Sequence, residues 1–444
     1  MVDIQQRLRE IRVACDLGPL SSENLERYWV DTDSARDPYQ SVRDSIRLRL
    51  EDKKDVRLLF YGHGGCGKST ELAKLVQELG QRYYVVSFSA RAEMSLTDVT
   101  AEDLIVVLME RLVAAAQSDK LEVDQGALKE VHAYFSTVTT TQEDGSTSKV
   151  GIEAGASVKT PFILAQLVKL FAGLKAEIKL EARNKETRVA TVRQRPGELL
   201  KQANILVNSV RHALPPERQI LLIVEDLDKL DISTAREVFI GKMNVLTGIN
   251  VNIIYTIPIF VFHSPDASIL RRQFDSDISL PMIKVAESNG SRGKGFDIVK
   301  EIITRRIGAD AVAANALDLL IEKTGGVLQH TFEILEIATL MRNATFPLQQ
   351  EHIRYGLQRK KNEFWSEITL PFEPVHGLTS KEQLFERLRE CAESQRKGLP
   401  CNPTGDPIDQ VLLKSCALVE YNGKRWLGVH PLVQEMIEEL GMLK

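Results

Sequence analysis

Residues 56–79 read VRLLFYGHGGCGKSTELAKLVQEL, and no other stretch restricts the fold of the chain as sharply. An apolar run, Val56 to Tyr61, ends in Gly62. Gly64, Gly65 and Gly67 follow, then Lys68, Ser69 and Thr70, then a helical pattern to Leu79 with Gly80 as its stop. The run fits a buried strand, the glycines a tight curl, and the periodic segment a helix. Gly62, Gly67, Lys68 and Ser69 meet the spacing G-x-x-x-x-G-K-[ST]. That spacing serves anion binding. Glycines let successive N–H groups point inward, so the backbone of Gly62, His63, Gly64, Gly65, Cys66 and Gly67 cradles phosphate oxygens. The helix start adds the positive end of its dipole. Lys68 reaches the β- and γ-phosphates, and the Ser69 hydroxyl, followed by Thr70, takes a place on Mg2+. A chance match would lack the strand before and the helix after; both are present.

Further apolar runs occur at Tyr83–Ala90, at Gln219–Val224, from about Val251 (NVNIIYTIPIF) and at Asp277–Lys284, with helical patterns between them. Strands alternating with helices predict an α/β fold, a P-loop core with a parallel five-stranded sheet covered on both faces. Thr100 and Asp103 read as a capping pair at the start of the helix after the second strand. After residue 285 the strand signals stop, and helical patterns at 296–308, 312–323, 327–342 and 348–364 predict an all-helical lid. Helices at Thr379–Glu393 and Pro407–Lys414, two short strands around Asn422–Gly423 and a last helix in HPLVQEMIEELG predict a winged-helix domain. The expected division is 1–24 as an N-terminal arm, 25–285 as the core, 286–366 as the lid and 367–444 as the winged helix.

An insertion at about 136–196 interrupts the core. It opens with STVTTTQEDGSTSKVGIEAGASVKT, either a mobile surface segment or a hairpin turned at Asp144–Gly145. PFILAQLVKLFAGLKAEIK then reads as a helix, packed in the core or lying on a membrane surface or partner. Its apolar part, about 13 residues, is short of a membrane span.

Phosphate binding is half of a nucleotide site. Hydrolysis needs acids for Mg2+ and for the attacking water. The strand QILLIV ends in Glu225 and Asp226, and such acids belong at the end of a strand next to the glycine-loop strand. Glu225 is assigned to the metal with Ser69, and Asp226 to the water; Asp228 and Lys229 stand behind them. Thr256, at the end of the next strand, is either a contact to the attacking water or γ-phosphate or a plain strand threonine. Arg271 or Arg272 is a candidate for an arginine offered to a neighbouring subunit, the alternative being a solvated helix end.

Composition narrows the partners. Net charge is −4, so no global basic field draws the chain to nucleic acid or anionic lipid. From 375 to 444 there are nine Lys/Arg and ten Asp/Glu. Arg387, Arg389, Arg396, Lys397, Lys424 and Arg425 could still form a local DNA-binding patch, but DNA is not the favoured partner. Five scattered cysteines, none at metal-site spacing, read as reduced thiols of a cytoplasmic protein. No signal peptide and no membrane span is visible. His430, with no partner acid or cysteine nearby in sequence, reads as a packing residue.

The glycine loop at Gly62, the acidic strand end VEDLDKL, the polar strand end YTIP and the segment ILRRQFDSDISLP together resemble the AAA+ ATPases and their STAND relatives, in the initiator-like branch with a helical lid and winged helix. The resemblance implies ATP and Mg2+, a lid that opens and closes with nucleotide, and homo-oligomerisation through the ATP site. In that group a GG-h-h-R motif on the lid supplies an arginine to the nucleotide. Here TGGVLQH has the glycines with Gln329 at the arginine position, and Glu225 stands where aspartate is usual. Both departures point to a slow switch, not a motor. Such a switch would control assembly or a separate effector protein, as in antiviral defence or signalling. The alternative is a DNA-binding initiator, loader or transposition regulator.

Overall fold

A computed structural model describes residues 4–443, apart from 17, 19, 21, 38, 141–159, 180–187, 288–289, 372–376 and 422–425. Five strands form one parallel sheet: β1 (Arg57–Gly62), β2 (Tyr83–Ser89), β3 (Gln219–Glu225), β4 (Asn252–Pro258) and β5 (Ser276–Ser279). Their order is β2-β3-β4-β1-β5. The fold is thus the expected α/β type with the glycine loop at the carboxyl end of β1. One expectation needs correction. The acidic strand β3 does not adjoin β1, because β4 lies between them. Every residue of β4 is buried, which is what a strand flanked on both edges and both faces requires. Asn252 opens β4 and ties three strands: its Oδ1 accepts from Val56 N at 3.0 Å and its Nδ2 donates to Gln219 Oε1 at 3.0 Å.

β5 is shorter than the run Asp277–Lys284 suggested. Pro281 has no N–H for the ladder, and Met282 instead bridges to Tyr421 near the C-terminus. The helix Lys68–Leu79 buries Leu72, Leu75 and Leu79 against the sheet, the three- and four-residue spacing of one helical face. Each such leucine contributes ~1.5–3 kcal/mol by leaving water.

The β2–β3 crossover carries a helical bundle. Its helices are Ala101–Ser118, Gln125–Thr140, Thr160–Lys179, Arg188–Arg193 and Pro196–Ala213. Thr100 and Asp103 form the predicted capping box. The apolar stripe of Thr160–Lys179 (Ile163, Leu164, Leu167, Phe171, Leu174, Ile178) is buried within the bundle, with Phe171 edge-on to Phe135 at 4.9 Å. It is a packed helix, and its stripe is not available to a lipid surface. No helix among the described residues is long and apolar enough to cross a membrane. The Asp144–Gly145 turn and Arg183 lie outside the described residues.

After β5 come the helices Gly295–Ile307, Ala314–Thr324, Leu328–Thr339 and Gln350–Glu367, close to the predicted spans. The C-terminal segment holds the helices Lys381–Arg396 and Pro407–Lys414, an antiparallel pair β6 (Leu418–Tyr421) and β7 (Trp426–Val429), and the helix Pro431–Glu439. The Asn422–Gly423 turn, with Lys424 and Arg425, is outside the described residues. Two cysteine expectations fail here. Cys391 and Cys401 form a disulfide, because the loop after Lys381–Arg396 folds back and Cys401 bridges to Leu427 beside that helix. Cys15, Cys66 and Cys416 are free and buried.

Candidate functional site

The glycine loop closes over Lys68 as its spacing demands. Lys68 is buried, and its Nζ donates to Gly62 O at 3.0 Å and His63 O at 2.7 Å. The same Nζ pairs with Asp228 Oδ2 at 2.8 Å. Burial pulls the lysine pKa down, and Asp228 more than reverses this, so the ammonium stays charged. Asp228, set behind Glu225 and Asp226 from sequence, is therefore the direct counter-ion of Lys68.

Gly65 has φ +69°, and a Cβ there would lie 2.2 Å from Cβ of Gln329. Only glycine permits that approach. Gln329 thus sits on the loop, with its N–H 3.4 Å from Gly65 O and its side chain donating to Glu333 Oε1 at 2.7 Å. The sequence placed Gln329 on the lid; the fold brings it onto the loop.

Across the sheet, Glu225 ends β3 with one oxygen accepting from Ser87 Oγ at 3.1 Å. Its Oε2 is buried with no hydrogen-bond partner. Burial raises its pKa above the usual 4.5, with the hydroxyls of Ser69 and Ser87 acting in the opposite direction. A carboxylate oxygen left open beside the Ser69 hydroxyl is the donor set a hard divalent cation takes. The Ser69 hydroxyl and the Glu225 carboxylate are oxygen donors of the kind that suit Mg2+.

Asp226 has φ +66°, which turns the chain sharply after β3. Its carboxylate is held by Lys229 Nζ at 2.6 Å and by the Ser89 hydroxyl. Burial works against its ionisation, but those hydrogen bonds and the charges of Lys229 and Arg91 keep its pKa below the ordinary value. Thr256 is buried; its hydroxyl donates to Val224 O at 3.2 Å and accepts from Leu227 N at 3.1 Å. That hydroxyl pins the turn that carries the acids. Arg271 and Arg272 do not line the cavity described below; Arg271 Nε pairs with Asp277 at 3.3 Å and Arg272 is exposed. Within one chain the fold does not bring them to the loop.

Most of these groups line a cavity of about 680 Å3. Gly64, Gly65, Gly67, Lys68, Ser69 and Thr70 line it with Asp226, Asp228 and Thr256. Trp29, Val30, Ile302, Leu328 and Phe332 line it too. A lining that mixes polar donors with apolar and aromatic side chains suits a phosphorylated, ring-bearing ligand. The sequence did not reveal Tyr28, Trp29 or Val30 as lining residues, since they sit in a segment without a motif.

The loop also touches the C-terminal segment. His63 is fully buried, and its Nε2 accepts from Glu420 N of β6 at 2.7 Å. The Glu420 carboxylate meets His263 Nε2 at 2.5 Å, and Tyr421 donates to Gly325 O at 3.1 Å. Burial pushes the His63 pKa down to about 3, so this imidazole is a neutral acceptor near pH 7. His430 is not isolated either: its Nε2 lies 3.2 Å from His330 Nδ1 on the lid side. The two histidines are 100 residues apart in sequence, so no local pattern could have paired them.

No family model matches the chain, and no curated protein matches it. Solved structures similar in outline include the following three. The Aeropyrum pernix ORC2 protein, solved as ADPNP-ADP complexes, is 11% identical over 93% of this chain and 98% of its own, with a TM-score of 0.38. Cdc6p from Pyrobaculum aerophilum is 12% identical over 93% and 99%, at 0.34. The T158V variant of Thermotoga maritima RuvB is 11% identical over 90% and 93%, at 0.32. At these scores the likeness carries no argument about function, which rests on the site.

Proposed function

We propose that the chain is an ATP-binding, slowly hydrolysing molecular switch of the AAA+/STAND kind, in which nucleotide state sets the position of a C-terminal winged-helix unit. The observation that carries this reading is His63, a glycine-loop residue whose ring accepts the backbone N–H of Glu420 in the C-terminal hairpin. A loop that reshapes around phosphate shifts that contact directly. Lys68 binds the β- and γ-phosphates, and the loop N–H groups of residues 62–67 bind their oxygens. Bound Mg2+ supplies charge neutralisation at the phosphates; Ser69 and Glu225 hold it. Asp226 orients the water, and Gln329 reports nucleotide to the lid. Thr256 supports the acids, and Arg271 or Arg272 acts on the site of a neighbouring copy. Slow turnover follows from the ties on Asp226, which must loosen from Lys229 and Ser89 before it serves a water.

Residues 25–285, 286–366 and 367–444 then act as core, lid and winged helix, with 1–24 as an arm. The output is assembly of copies through the ATP site, or control of a separate effector protein, in the cytoplasm. Phosphate release by wild type, Lys68→Ala and Asp226→Asn tests this reading. Both variants should fall to background, and equal rates in all three would sink the ATPase claim. The mass of the assembly without nucleotide, with ADP and with ATP tests the switch: it should differ between ADP and ATP.

A further inference from the structure

Arg36 belongs to no motif, yet it is among the largest fully buried side chains of the described residues, at 2% exposure. It ends the short helix Asp33–Arg36, and each of its three guanidinium nitrogens donates a hydrogen bond. Nε donates to Thr32 Oγ1 at 2.8 Å, Nη2 to Cys66 O at 2.6 Å, and Nη1 to Pro281 O. The Thr32 hydroxyl in turn donates to Glu71 Oε1 at 3.3 Å, and Glu71 pairs with Arg43 Nη1 at 2.5 Å. Glu71 stands in the first turn of the glycine-loop helix. The cation is therefore rooted in that helix, with one hand on the loop and the other on the segment leaving β5.

Cys66 O and Gly67 N–H belong to the same peptide unit. In a phosphate-binding loop the N–H side of such a peptide faces the anion and the carbonyl side faces away. A guanidinium on the carbonyl polarises the peptide, which makes its N–H a stronger donor and fixes the plane in which it points. A buried cation also sets a second positive charge on the cavity that Lys68 lines, where dielectric screening is weak. Burying a guanidinium is costly unless every donor is satisfied. Here each nitrogen has its own acceptor, and one acceptor lies in the loop itself.

We propose that Arg36 is a positioning residue for the phosphates of the bound nucleotide: through the Cys66–Gly67 peptide it orients and strengthens the Gly67 N–H donor. This inference rests on the nucleotide reading above. It predicts a loss that follows the phosphates and spares the base. The test uses the full chain and two ligands, ADP by calorimetry and adenosine by saturation-transfer NMR. Arg36→Gln should weaken ADP about ten- to hundredfold, the worth of one charge-assisted hydrogen bond, and leave adenosine unchanged. Arg36→Lys, which keeps the charge and a donor, should recover part of the ADP affinity. Equal losses for ADP and adenosine would overturn the proposal, as would unchanged ADP affinity or no recovery with lysine. If Arg36→Gln does not fold, Thr32→Val frees Nε while leaving the guanidinium in place. It should then weaken ADP measurably and adenosine not at all, and unchanged ADP affinity would again overturn the proposal. Wild type that fails to bind ADP would instead remove the nucleotide reading itself, so the two failures are distinguishable.

Discussion

Lys68 and Asp228 form a buried ion pair with side-chain exposures of 6% and 8%. Such a pair is weakly stabilising as a whole but expensive to halve, since the survivor is a charge without its counter-ion. Asp228→Asn should therefore destabilise the nucleotide-free protein by about 3 kcal/mol. It should also tighten ADP binding about tenfold, because a negative charge leaves the phosphate site and Lys68 no longer has to part from it. Thermal melts with and without ADP check both: the variant melts lower alone and gains more from ligand. Glu225 behaves in the opposite sense. Its folded pKa is raised, chiefly by burial, so the fold disfavours its ionised form. Near pH 7 that subtracts stability, and the deficit vanishes as pH falls below the unfolded value near 4.5. Glu225→Gln should then raise Tm at pH 7 by ~1–3 °C, with the gain fading towards pH 4, while Mg2+-dependent phosphate release is lost. At this scale the places of Lys68, Ser69 and Glu225 in the fold were legible, because each sits at a fixed offset from a glycine or a strand end. Arg36 and Asp228 took their partners from elements far away in sequence, so spacing could not mark their roles.

The hairpin β6–β7 is one element through which the C-terminal segment meets the core; the helix Pro407–Lys414, packed on Ile259–Phe262, is another. Met282 bridges to Tyr421, His63 accepts from Glu420 N, and His263 holds the Glu420 carboxylate, which is buried at 3% exposure. His263→Ala removes one hydrogen-bond partner of that buried carboxylate, at a cost of ~1–3 kcal/mol. Hydrogen exchange should speed up across 418–421 and 426–429 and in the loop at 62–67, with the β2 amides unchanged. Protection unaltered in both segments would show that the contact does not couple them. The strand order was only partly legible. Five apolar runs predicted five strands, because burial on both faces demands them. Which strand lies beside which is a property of crossover paths, and β4 between β1 and β3 could not be read from hydropathy. β5 ended early at Pro281, which removes a ladder donor, and Met282 then paired with the hairpin.

For the whole molecule, charge decides what the C-terminal unit can recognise. Among the described residues, three arginines that could have formed a basic patch are paired at home. Arg387 meets Asp409 at 2.8 Å, Arg389 meets Glu393 at 2.7 Å, and Arg396 meets Glu438 at 2.7 Å. With a net charge of −4, little is left for phosphate contact. Duplex DNA should not bind in fluorescence anisotropy at physiological salt, with or without ATP. Binding that weakens steeply with added salt would favour the initiator or loader reading instead.

The chain by itself determined the glycine-rich turn after β1, the helix behind it, the acids at 225 and 226, the five strand segments and the helices that follow β5. All of these follow from local rules: glycine spacing, apolar runs and helical periodicity act between neighbours in sequence. Tertiary structure alone decided the insertion of β4, the seating of Gln329 on Gly65, the pairing of Lys68 with Asp228, and the joining of His63 to the hairpin. It also decided that Arg36, a residue without a motif, would reach the carbonyl behind Gly67. Each of these is a contact between segments far apart in sequence. Such contacts depend on how the layers pack, and packing leaves no periodic trace in the order of residues.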